Sequence, residues 1–162
     1  MSDMVKNRRL WLMLVLSLLA GTSSADERFI SPGIKLGYTF GQGGGFTTGI
    51  EVSYIVWRNE LPMAVVLNID LCGREEKLEY QKIHLGWQIS HVVGIEAGPT
   101  IIWDDGGASL GMTVTPFAGL VFPYGYYSYT LDFAGGRQRN EAGLLLKMPV
   151  ALPGHEFELG LR

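Results

Sequence analysis

Cysteine occurs once, at Cys72, so no disulfide framework joins distant parts of this chain. Histidine occurs three times, as His84, His91 and His155. The first two stand seven apart, and no acid or third histidine completes a metal set at short spacing, so no metal ligand is assigned. Positive charge is also scarce, with 13 Lys and Arg against 16 Asp and Glu. That balance excludes nucleic acid as a partner, because phosphate binding needs clustered cations whose counterions are released. After residue 25 no apolar stretch reaches the roughly 20 residues a helix needs to cross a bilayer, and no segment has helical periodicity.

What is present begins with a leader. Lys6, Arg8 and Arg9 precede an apolar run from Leu10 to Ala20, and the small residues Gly21, Thr22, Ser23, Ser24 and Ala25 follow. That order predicts a signal peptide over residues 1–25, with cleavage after Ala25. No cysteine follows the run, so a lipid-anchored form is not expected. Removing the leader takes three basic and one acidic side chain, leaving 10 against 15 and a net charge of about −5. Residues 26–162 are enough for one domain. Glycine is abundant, at 22, and recurs inside periodic segments, which suits strands that bend or approach closely and suits helices poorly.

Nearly every segment after Ser31 alternates in hydrophobicity with a period of two, the mark of strands with one apolar face. Ile34, Leu36, Tyr38 and Phe40 alternate with Lys35, Gly37 and Thr39; Ile50, Val52 and Tyr54 alternate with Gly49, Glu51 and Ser53. The same holds through Leu61–Leu71, Val93–Trp103, Leu110–Phe122, Tyr127–Phe133, Leu144–Val150 and Phe157–Leu161. The phase slips between Tyr80 and Ile83, which predicts a bulge there. Pro62, Pro99, Pro116 and Pro149 fall within strands and each removes a ladder donor, so rim positions or bulges are expected around them.

The connections alternate in kind. Four are long and polar: 41–45, 72–76, 104–107 and 134–140. The intervening ones, 58–60, 90–91, 123–125 and 153–154, are tight. Consecutive antiparallel strands place alternate turns at opposite ends, so one end carries loops and the other turns. Segments of about 10 to 13 residues fit a tilted membrane strand, and aromatic residues gather at their ends: Phe40, Phe46, Trp57, Trp103, Phe122, Tyr124, Tyr126 and Tyr127.

With its leader, strand lengths and alternating turns, the chain resembles the small outer-membrane β-barrel proteins of eight to ten strands. The resemblance covers the whole of 26–162 and rests on pattern. It implies an all-β fold, a single antiparallel up-and-down barrel, in the cell outer membrane, with outer-membrane lipid and the barrel assembly machinery as partners. Members usually end in an aromatic residue within an alternating last strand; here Phe157, Leu159 and Leu161 alternate but Arg162 is last. The turns count about nine strands, where bacterial barrels have an even number. A soluble periplasmic barrel would turn the pattern inside out and line a cavity for an apolar ligand. The face opposite the apolar one, rich in Gly, Ala, Ser and Thr, favours the membrane form, with Ile50, Val65, Ile95 and Leu146 toward lipid.

Some barrels of this class remodel lipid A, which would need a serine, a histidine and an acid together. The raw material is Ser90, His91, His84, His155, Glu79 and Glu96, and the one-residue His and Ser spacing of the lipid A deacylases does not occur. No helix follows the glycine run at 41–45 to cradle a phosphate. No catalytic or cofactor-binding residue is therefore assigned, and a structural or surface-interaction role is expected, with the ligand of the surface loops open. Lys35, Glu51, Asp70, Glu96, Asp132 and Lys147 are expected to face inward and to pair as a polar plug, since a barrel of about eight strands is filled by its own side chains.

Overall fold

A computed structural model describes residues 27–41, 44–58, 61–75, 77–90, 92–119 and 123–152. The leader, the segment from His155 onward, His91 and Phe122 lie outside these residues. Eight long strands follow one another: β1 (Glu27–Phe40), β2 (Phe46–Arg58), β3 (Leu61–Arg74), β4 (Lys77–Ser90), β5 (Val93–Asp104), β6 (Gly107–Gly119), β7 (Pro123–Asp132) and β8 (Gln138–Lys147). Each pairs antiparallel with the next, and β1 pairs with both β2 and β8, so the sheet closes on itself. Closure leaves no long strand with an unpaired edge.

The ninth strand expected over Phe157–Leu161 lies outside the described residues, and the short ninth element seen here is a different one. A two-residue β9 (Val150–Ala151) pairs with Ile30 and Phe29 of β1, continuing the course that β8 takes along the same strand. Between them Met148 N still donates to Pro32 O, at 3.0 Å, but Pro149 has no N–H to give and the ladder lapses. Among the described residues the barrel therefore has eight strands, and β9 is the resumption of β8.

Alternation decides which face meets what. Ile34, Ile50, Ile95 and Leu146 are 55, 56, 50 and 49% exposed on the outer surface, and Val65 shares that face. Their neighbours Lys35, Glu51, Glu96, Leu145 and Lys147 are buried inside. The apolar set lines no enclosed cavity, so the reading of a soluble barrel around an apolar ligand does not hold. Strands of 10 to 14 residues suffice for tilted crossing of about 30 Å of hydrocarbon.

The prolines sit where pairing lapses. Pro99 pairs with Met112 on β6, but its ladder with β4 runs from His84–Thr100 to Trp87–Ala97 with a gap opposite Leu85. Pro116 likewise pairs with Ile95, while the β6–β7 ladder skips from Val114–Tyr129 to Phe117–Tyr126. Pro62 stands second in β3, at the barrel's end.

Two expectations are displaced. The bulge lies not between Tyr80 and Ile83 but one residue before Tyr80: Cys72 pairs with Tyr80 and Gly73 with Leu78, leaving Glu79 extra. The phase slip in the sequence arises because Tyr80 points inward, where its hydroxyl meets Thr39 at 2.7 Å. Three of the four loops are also shorter than expected, 41–45 keeping its bounds. Cys72–Arg74 belong to β3, Asp104 to β5, Gly107 to β6 and Gln138–Asn140 to β8, so the connections are 41–45, 75–76, 105–106 and 133–137. Pro123–Gly125, expected as a tight connection, open β7. Glu75, in the connection 75–76, takes at φ 49° the left-handed conformation that a two-residue hairpin favours, and Gly107, the first residue after 105–106, has φ 103°. Phe40, Phe46, Arg74, Lys77, Asp104, Gly107, Asp132 and Gln138 mark the loop end; Arg58, Leu61, Ser90, Val93, Gly119 and Pro123, with Glu27 and Leu152, mark the terminal end.

Candidate functional site

The interior is layered, and the strand pleat sets which residues enter it. At the terminal end Phe117, Tyr126 and Leu145 pack together with Tyr124 against them, the two rings of Phe117 and Tyr124 meeting edge to face at 5.8 Å. At the loop end Cys72, Tyr80 and Ile102 form a second buried cluster. Between the two lies a charged middle. Inward glycines make room for its large side chains: a Cβ on Gly37 would stand 2.5 Å from the Tyr126 hydroxyl, and one on Gly86 would stand 2.6 Å from His84 Nε2.

All six residues expected inside are buried in the interior, Asp132 toward the loop end and the other five in this middle, and each has a partner. Lys35 lies 2.9 Å from Asp70 and 3.6 Å from Glu141. Lys82, which the alternation of β4 obscured, lies 3.1 Å from Asp70 and 3.0 Å from Glu141. Two ammonium groups and two carboxylates thus form a closed quartet, and the Tyr126 hydroxyl donates to Glu141 while its ring lies 4.8 Å below Lys35 Nζ. Lys147 pairs with Glu51 and donates to Ser53 and Gln88, both at 3.0 Å. Charges this far from water are tolerable only when paired and hydrogen-bonded.

Glu96 meets a different kind of group. Its Oε1 accepts from Asn68 Nδ2 at 2.9 Å and lies 2.9 Å from His84 Nε2, and His84 Nδ1 is 2.9 Å from Thr100 Oγ1. Thr100 continues to Thr113 at 2.6 Å and Thr113 to Thr130 at 2.8 Å. This acid, imidazole and hydroxyl line has the order of a nucleophilic triad. Its hydroxyl is buried and already bonded, so no ester reaches it; His84 Nδ1, Thr100, Thr113 and Thr130 form an internal hydrogen-bonded chain, while His84 Nε2 lies near Glu96 without a hydrogen bond. Ser90 ends β4 at the terminal end and does not join it. Among the described residues no three His, Cys, Asp or Glu side chains are placed to hold a metal ion.

Toward the loop end Arg139 spans the mouth, 2.7 Å from Asp104 and 3.6 Å from Asp132, with its guanidinium over the Tyr80 ring at 4.9 Å. Above it Arg137 reaches Asp104 at 3.3 Å and Lys77 reaches Asp105 at 2.8 Å, both in water. Lys77 holds the Asp105 carboxyl below the usual carboxylate range by this hydrogen bond. Aromatic placement is mixed: Tyr38, Phe40, Phe46, Trp57, Trp87, Trp103 and Tyr127 face outward, whereas Tyr80 and Tyr126 serve the interior through their hydroxyls.

Polar charge locked inside and aliphatic side chains outside invert the arrangement of a soluble protein. The fold is that of a small transmembrane β-barrel. Among solved structures the chain is similar to one from a de novo design of transmembrane β-barrels, at 9% identity over 74% of this chain and 95% of that one, with a TM-score of 0.42. It is similar also to Ail, the attachment invasion locus protein of Yersinia pestis, at 12% identity over 78% of this chain and all of that one, with a TM-score of 0.39. The sequence matches no family model and no curated protein.

Proposed function

We propose that this protein is an integral outer-membrane β-barrel with a structural or surface-interaction role, neither a pore nor an enzyme. The observation that carries this reading is the self-pairing of the middle layer: Lys35, Lys82, Asp70 and Glu141 satisfy one another across the lumen and occupy the space a solute would need. Outer-membrane lipid is the partner of the apolar surface, and the assembly machinery of such barrels is the partner during insertion. With the termini toward the periplasm, the loop end faces outward. Its exposed groups, among them Arg137, Lys77 and Asp105, then form the surface offered to other molecules.

Fractionation tests this directly. The protein is expected in the outer-membrane fraction, soluble only after detergent extraction, and reconstituted barrels are expected to leave a planar bilayer non-conducting. Release by osmotic shock without detergent would falsify membrane integration, and steady conductance would overturn the closed lumen.

A further inference from the structure

The three hydrogen-bonded groups of the middle layer meet at one cavity. Lys35 brings the quartet to it, Glu51, Gln88 and Lys147 bring the second group, and Asn68 and Glu96 bring the third. Phe117 and Tyr124 wall it toward the terminal end. The space open to the centre of a water-sized sphere is about 10 Å³, room for a single water molecule.

One lining residue has an unmet need. Asn68 is 3% exposed, and its amide nitrogen donates to Glu96 Oε1 at 2.9 Å. Its carbonyl oxygen, Oδ1, is equally buried and accepts from no group among the described residues. A buried amide oxygen without a donor bears its desolvation uncompensated.

We propose that this cavity binds one internal water molecule, which donates to Asn68 Oδ1 and to a carboxylate oxygen of Glu51 or Glu96 and accepts from Lys35 or Lys147. The lining selects for it. A cation would meet two ammonium groups and an anion two carboxylates, while an apolar molecule would leave all of these polar atoms unserved. A neutral molecule with two donors and an acceptor, no larger than the space, meets the need of Asn68 Oδ1 without disturbing the charge balance around it. Held there, it joins the Lys35 quartet, the Lys147 group and the Asn68–Glu96 pair into one hydrogen-bonded network.

A crystal structure of the full barrel in detergent, at a resolution that shows ordered solvent, tests this. One water is expected within about 3.2 Å of Asn68 Oδ1 and of a Glu51 or Glu96 oxygen. A lysine or other protein donor found bonded to Asn68 Oδ1, a closed cavity, or an ion or detergent atom in the site overturns the proposal. None of these results touches membrane integration, which fractionation reads separately.

Discussion

The two faces of this barrel are built from alternate residues of the same strands, yet they obey different rules. Outside, Ile34, Ile50, Leu67, Ile95 and Leu146 share little beyond being apolar, because hydrocarbon asks nothing else of them. Inside, each charged side chain has a particular partner from a distant part of the chain, as Lys35 has Asp70 and Lys82 has Glu141. The outer face is therefore defined by composition and the inner face by identity. Conservative exchange is harmless on the first and costly on the second.

The sharpest break of that contrast is at Glu141. Glu141→Ala leaves Lys35 and Lys82 sharing Asp70 alone and removes the acceptor of the Tyr126 hydroxyl. Stranding buried charge in this way costs about 3–5 kcal/mol. Reversible denaturant unfolding in lipid vesicles measures it; a loss under about 1 kcal/mol would mean that water relieves the lysines and that the lumen is not closed.

On the other face the test is Ile34, midway along β1 and adjacent in sequence to Lys35. Ile34→Arg is expected to cost about 2–4 kcal/mol in the same assay, the penalty of a cation held near the bilayer midplane. Ile34→Leu is expected to cost less than about 1.5 kcal/mol. An arginine tolerated as well as leucine would show that this surface meets water.

Alternation made the outer face and the strand course legible, since a period of two needs no knowledge of neighbours. Partners across the lumen were not legible, because Lys35 and Asp70 lie on β1 and β3 and only the stagger of the closed sheet brings them level. The Glu96, His84 and Thr100 line was closer to hand. His84 pairs directly with Thr100 and Gln88 with Glu96 in the β4–β5 hairpin, so a known turn would have yielded both. The turn was placed at 90–91, whereas Ser90 pairs with Gly94 around 91–93. A one-residue slip in register moves every partner to the opposite face. Tyr80 and Tyr126 were misleading for another reason: a ring with a hydroxyl reads as apolar in a pattern, yet its polar tip admits it to a polar interior.

The loop end supplies the smallest effect and the control for the rest. Lys77 and Asp105 pair at 2.8 Å but are 60 and 82% exposed, so their attraction is screened. The lysine lowers the Asp105 carboxyl, and a group with a depressed folded value stabilises the fold above its unfolded value and loses that contribution as pH falls through the folded one. Lowering pH from about 7 to about 3 at low salt is therefore expected to shift the unfolding midpoint slightly less in Asp105→Asn than in the parent. At about 0.15 M salt the difference should shrink without vanishing, because the pair is exposed to mobile ions yet at 2.8 Å lies inside the Debye length of about 8 Å. The cost of Glu141→Ala should not move with salt over the same range, since its charges are out of reach of counterions. If salt weakened both alike, the quartet would be as wet as the rim, and the separation of a dry paired interior from an exposed one would fail.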